Sequence, residues 1–128
     1  MGGIQDAEGG SGKAASQEVN GVALTQDFKQ TVVDRVRRDP EFAKALLDEA
    51  ATLFLNGEAD TARLVLRDLI NATVGFEALA AETAKPPKSL HRMLSKNGNP
   101  TMDNLAAILR VVRKKLGVEM QVRAVRVP

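Results

Sequence analysis

Five side chains that donate hydrogen bonds through nitrogen, those of Lys85, Lys88, His91, Arg92 and Lys96, fall within twelve residues. The stretch Pro86 to Asn99 reads PPKSLHRMLSKNGN, and no Asp or Glu occurs between Glu82 and Asp103, although 16 of the 128 residues are acidic. Guanidinium and ammonium groups with no carboxylate nearby in sequence need acceptors from elsewhere. Phosphate oxygens and the acceptor edges of bases are such acceptors. Charge follows the same division, since residues 85 to 128 carry 10 basic and 2 acidic side chains, net +8, whereas residues 1 to 56 and 57 to 84 are each net −3. A basic half of this kind raises the local concentration of polyanions, and neutralised phosphates supply much of the affinity for nucleic acid.

Helices must position these groups. From Thr25 the apolar residues Phe28, Val32, Val33 and Val36 recur at helical spacing, and Asp39-Pro40 offers a cap and a proline for the first position of a second helix. Two helices are expected over 26 to 38 and 40 to 55, the second with Phe42, Leu46, Ala50, Leu53 and Phe54 on its inner face and Asn56-Gly57 as its stop. A third, from about 58 to 74, turns Ala62, Leu66, Leu69, Ile70 and Val74 inward. Phe76, Leu79, Ala80 and Thr83 give a two-turn helix, which Pro86-Pro87 interrupts because a residue before proline is pushed out of the α region. Pro87 opens the next helix, with Leu90, Met93 and Leu94 on one side and Lys88, Ser89, His91, Arg92 and Ser95 on the other. After Asn97-Gly98-Asn99-Pro100, Thr101 caps a helix over 102 to 115 whose Leu105, Ile108, Leu109 and Val112 complete the core. The fold class is therefore all-α, a domain of five to six helices.

Composition excludes several classes. The chain has no Cys and one His, which removes disulfide frameworks, thiol nucleophiles and Cys/His zinc sites. No convergent carboxylate pair or activated nucleophile accompanies His91, so neither catalysis nor a metal or other cofactor is expected. The GGSGKA stretch is no phosphate loop, because Ala7 stands where its first glycine belongs and Ala14 where a magnesium-holding hydroxyl belongs. No apolar run approaches the roughly 20 residues that span a bilayer, and residues 1 to 16 lack a secretory pattern, so a cytoplasmic protein with no membrane association is expected.

Two short helices joined by a tight turn, the second presenting basic and small polar groups, describe a helix-turn-helix. Its second helix is the one that enters the major groove. The small side chain of Ala80 in the first helix lets the two axes approach closely.

The run LAAETAKPPKSLHRMLSKNGNPTMDNL resembles the helix-turn-helix of phage-repressor-like (lambda repressor-like) regulators, and more closely the bacterial antitoxins and related regulators of that kind. The resemblance covers about residues 75 to 112 and rests on Ser89, Leu90 and Arg92 and on the tetrad Gly98, Asn99, Pro100 and Thr101. It implies a cytoplasmic DNA-binding protein that dimerises on an operator and represses its own operon, where many relatives sit beside an mRNA-cleaving toxin. Ala84 stands where the family turn often has Gly, at a position favouring positive φ, and two prolines follow. A slightly rearranged turn is expected.

By position, Lys88, Ser89, His91 and Arg92 are the candidates for contacting base edges, and Lys85, Lys96, Asn97 and Asn99 for contacting phosphates. His91 has a second option, packing at the edge of its helix. Arg110, Arg113, Lys114 and Lys115 read as a solvated face from which one or two side chains reach flanking backbone.

The domain organisation expected is a flexible tail over 1 to 24, a helical extension over 25 to 57, a DNA-binding domain over 58 to 117 and a C-terminal segment over 118 to 128. In that segment Val118, Met120, Val122 and Ala124 alternate with Glu119, Gln121 and Arg123, a short β-strand pattern. A lone strand leaves both edges unpaired, so Val19 to Leu24, a second copy or another protein should complete it, and a homodimer is favoured. The partners expected are thus double-stranded DNA and a second copy. The alternative is an antitoxin whose acidic first half, residues 1 to 84, meets and neutralises a basic toxin protein.

Overall fold

Asp39 and Pro40 break the chain between its first two helices as their chemistry requires. In the computed structural model, which describes residues 26–128 together with Ile4–Gln5 and Ala7–Glu8, helix α1 spans Gln26–Arg38 and α2 spans Pro40–Leu55. Asp39 is extended (φ −134°), and its carboxylate accepts from the Glu41 and Phe42 amides at 3.1 and 3.3 Å. Pro40 takes the first helical position, where no amide is needed. At the other end, Gly57 (φ +87°) donates its amide to the Phe54 carbonyl, and Glu58 donates to that of Leu53. That paired closure ends the helix at a residue free to adopt the left-handed conformation.

The remaining helices are α3 (Ala59–Ala72), α4 (Phe76–Thr83), α5 (Pro87–Met93) and α6 (Met102–Leu116). The regular structure of residues 26–128 is therefore all-α, with six helices. Ile4–Gln5 and Ala7–Glu8 are two-residue strands paired with each other; the rest of the expected tail over 1 to 24, including Val19 to Leu24, lies outside the described residues.

Within residues 33–128, α2 lies along α3, while α4 packs on both α5 and α6, and α6 also meets α2. The centre is formed by Leu47, Leu66, Leu69, Ile70, Leu79, Leu90, Leu94, Ile108 and Val112, all fully buried. Burying each such side chain stabilises the fold by about 1.5–3 kcal/mol. The inner face of α2 differs from expectation: Ala43, Leu47 and Ala50 are its buried residues, and Phe42, Leu46, Leu53 and Phe54 are only half-buried. Small side chains at 43 and 50 let α3 come close, so the larger residues flank the contact. Similarly, Ile108, Val111 and Val112 form the buried edge of α6, with Leu105 and Leu109 beside them.

Val118–Pro128 carries no helix or strand, and Val122, Val125 and Val127 are 72%, 74% and 81% exposed. The strand expected there is absent from the single chain, because the segment has no ladder partner among the described residues. No helix among the described residues is long and apolar enough to cross a membrane.

Candidate nucleic-acid interface

Helix α4 ends in a residue that pays a steric cost for the turn. Ala84 sits in the left-handed region (φ 56°, ψ 39°), and its amide and that of Lys85 both donate to the Ala80 carbonyl. An L-residue with a Cβ adopts this conformation at a cost of roughly 1–2 kcal/mol. Ala84 thus adopts the positive φ that this position favours. Pro86 continues in extended conformation (φ −65°, ψ 142°), and Pro87 starts α5 directly. Three residues thus separate two short, mutually packed helices.

The amphipathic division of α5 fixes which groups reach solvent. Leu90 and Leu94 are fully buried and Met93 is half-buried, while Lys88, His91 and Arg92 are exposed and Ser89 is half-buried between the two sides. Lys88 and Arg92, four residues apart, share the face opposite Leu90. His91 lies nearer the packed side, and its ring stacks on that of Phe76 with centroids 4.0 Å apart. Part of that imidazole is thereby committed to holding α5 against α4, which was the second option open to it. Lys85, half-buried, lies in the turn before α5; Lys96, Asn97 and Asn99 are exposed in the loop after it. Base-edge and phosphate candidates are thus carried by one helix and its two flanking turns.

Electrostatics leaves these cations available. None of Lys85, Lys88, Arg92 and Lys96 forms an ion pair among the described residues. Elsewhere, acids and bases pair locally, as in Arg35 with Asp39 at 3.4 Å and Lys44 with Glu41 at 3.9 Å. Exposed pairs of that kind contribute about 0–1 kcal/mol each.

The loop after α5 is held by a residue that the sequence reading passed over. Arg63 of α3, with only 8% of its side chain exposed, donates from Nε to the Ser95 carbonyl at 2.9 Å and from Nη2 to the Lys96 carbonyl at 2.6 Å. Nη2 also donates to Asp60 at 2.7 Å. Ser95 is engaged further: its carbonyl accepts from the Gly98 amide at 3.0 Å, and its hydroxyl donates to the Arg92 carbonyl at 2.8 Å. Gly98 is required by close approach, because a Cβ there would overlap the carbonyl oxygens of Arg92 and Met93. Beyond the loop, the Thr101 hydroxyl accepts from the Asn104 amide at 3.1 Å, capping α6. A signal for Arg63 was present: it precedes Leu66 by three residues and Ile70 by seven, which places a cation on the inward stripe of α3. Buried cations require partners.

On α6, Arg110, Lys114 and Lys115 are exposed, whereas Arg113 is half-buried and donates to the Val118 carbonyl at 3.3 Å. No group of His, Asp or Glu among the described residues has the arrangement to hold a metal ion. No family model matches this chain, and neither the curated proteins nor the solved structures hold a significant match to it.

Proposed function

We propose that the protein is a sequence-specific transcriptional regulator that binds duplex DNA, with α4, the Ala84–Pro86 turn and α5 acting as a helix-turn-helix of the lambda repressor-like kind. The observation that carries this reading is the two-sidedness of α5. Leu90 and Leu94 are fully buried, Lys88 and Arg92 face solvent without ion pairs among the described residues, and no acidic residue lies between Glu82 and Asp103. A helix so divided suits the major groove, where Arg and Lys recognise guanine and small polar residues such as Ser89 pair with either base. Lys85, Lys96, Asn97 and Asn99 then hold phosphates on either side and set orientation without reading sequence. The protein does this in the cytoplasm and represses its own operon, as the resemblance of residues 75 to 112 implies.

Operator readers work as two-fold dimers, and the alternating Val118–Pro128 segment, exposed from Gln121 onward, supplies a self-complementary edge: pairing with the same segment of a second copy completes both ladders and covers Val122, Val125 and Val127. The experiment that tests the function is selection of bound sequences from a random duplex pool. A recovered two-fold motif supports the reading, and recovery of unbiased sequence removes the claim of specificity.

A second reading, an antitoxin that neutralises a basic toxin, draws on the exposed Glu41, Asp48, Glu49 and Glu58 of α2 and its C-terminal end. It adds a partner to the DNA-binding role and does not compete with it. Co-purification of a basic protein from the native host would support it.

A further inference from the structure

We propose that Arg63 is a positioning residue for DNA binding: from α3 it fixes the turn after α5, and thereby the direction in which Lys96, Asn97 and Asn99 meet phosphate. The inference rests on the DNA-binding reading above.

The geometry separates Arg63 from an ordinary surface cation. Its side chain is 8% exposed, yet its guanidinium is not spent on an acid alone, since two of its three hydrogen bonds go to the consecutive carbonyls of Ser95 and Lys96. Those residues are 32 and 33 positions away in the chain, so the contact ties α3 directly to the end of α5. The planar fork suits this task, as two donors leave it in fixed directions at two neighbouring acceptors. A carbonyl oxygen carries two lone pairs, so Ser95 accepts from Arg63 as well as from the Gly98 amide.

The clamp acts on one turn only. Ser95 O accepts from Arg63 and from the Gly98 amide, so Arg63 and Gly98 converge on the same carbonyl. Lys96, whose carbonyl is held and whose side chain is exposed, has its backbone direction set by this contact. Lys88 and Arg92 lie within α5, whose register is set by Leu90 and Leu94 against the core. Loss of the clamp should therefore disturb phosphate contacts more than base reading.

The test is Arg63→Lys. Lysine keeps the charge beside Asp60 and loses the planar fork. Wild type and variant are compared by amide hydrogen exchange in the free protein and by titration of a selected duplex and a scrambled duplex at several salt concentrations. The expected result is faster exchange at Gly98 with unchanged exchange at Leu69, and a loss of about tenfold in affinity for both duplexes, equivalent to about 1.4 kcal/mol. The slope of log affinity against log salt should fall by about 2, the share of one phosphate contact in each protomer of the dimer, while the ratio between the two duplexes is retained. If Gly98 exchanges faster but affinity and slope stay at wild-type values, Arg63 is structural only and the proposal is overturned. If the wild type itself binds neither duplex, the DNA-binding reading fails, whatever the exchange data show. Should the variant not fold, the Arg63 Nε–H resonance of wild type decides: slow exchange with solvent in both free and DNA-bound protein supports the clamp, and loss of that protection on binding overturns it.

Discussion

The imidazole of His91 lies over the ring of Phe76, the two planes 21° from parallel and the centroids 4.0 Å apart. Phe76 is buried at the start of α4 and His91 is exposed on α5, so the stack joins the hidden side of one helix to the open side of the other. An aromatic pair contributes about 0.5–1.5 kcal/mol beyond its area burial. His91→Ala should accordingly lower the urea midpoint of unfolding by an equivalent amount at unchanged slope, whereas Lys88→Ala, on the outward face, should leave it unchanged. Equal midpoints for His91→Ala and wild type would show that the stack does not stabilise the fold.

Affinity for duplex DNA should fall steeply with salt. Residues 85 to 128 carry net +8, and if about 6 phosphates are neutralised per dimer, log affinity should fall with log salt at a slope of roughly −5. Fluorescence anisotropy at four or five salt concentrations measures it, and a flat response rules out phosphate neutralisation as the source of binding.

Reading and holding should separate by residue. Arg92 lies on the face opposite Leu90, and Lys96 lies past the end of α5. Arg92→Ala should cost about 1–3 kcal/mol on the preferred site and relax the preference at one base pair. Lys96→Ala should weaken all sequences alike and lower the salt slope by about 2, one phosphate contact in each protomer of the dimer. Neither should move the melting temperature. A large drop in melting temperature for Arg92→Ala with its base preference intact would mean that α5 faces DNA in another orientation.

Ala84 offers a test of the turn itself. Its φ of 56° costs an L-residue roughly 1–2 kcal/mol, and glycine avoids this while losing about 0.5–1 kcal/mol to the greater freedom of the unfolded chain. Ala84→Gly should therefore stabilise the protein by up to about 1.5 kcal/mol, and Ala84→Val should destabilise it, because a β-branched side chain is worse still in this region. Thermal denaturation of the two variants checks the order. Stabilisation by valine would contradict the left-handed cap.

Local chemistry made most of the helix boundaries readable. Asp39-Pro40, Asn56-Gly57 and Thr101 each act within four residues of their own position, so their sequence alone reveals them. The face of α2 was less legible, since Phe42, Ala43, Leu46, Leu47, Ala50, Leu53 and Phe54 spread over more than one stripe and only the close approach of α3 selects Ala43, Leu47 and Ala50. The exposure of Lys88 and Arg92 followed from the spacing of Leu90 and Leu94. The inward position of Arg63 on α3 was legible, but its partners were not: it binds backbone carbonyls, and every residue has one, so nothing in Ser95 or Lys96 signals the contact.

Val118–Pro128 shows how far a period-two pattern goes without a neighbour. The alternation is real in the exposure of its start, where Val118 and Met120 are half-buried and Glu119 and Gln121 exposed, but no ladder forms among the described residues. A second copy would supply one and would fix two α5 helices for successive major grooves, about 34–36 Å apart. Deleting residues 119 to 128 retains the bond from the Val118 amide to the Arg113 carbonyl that closes α6, so the helical unit should keep its melting temperature. The mass by light scattering should fall from dimer to monomer, and operator affinity should fall with it, because each half-site is then bound alone. Binding to a single half-site should be unchanged. A truncated protein that scatters as the same oligomer would remove the C-terminal segment from the interface and place the two-fold contact on the helices.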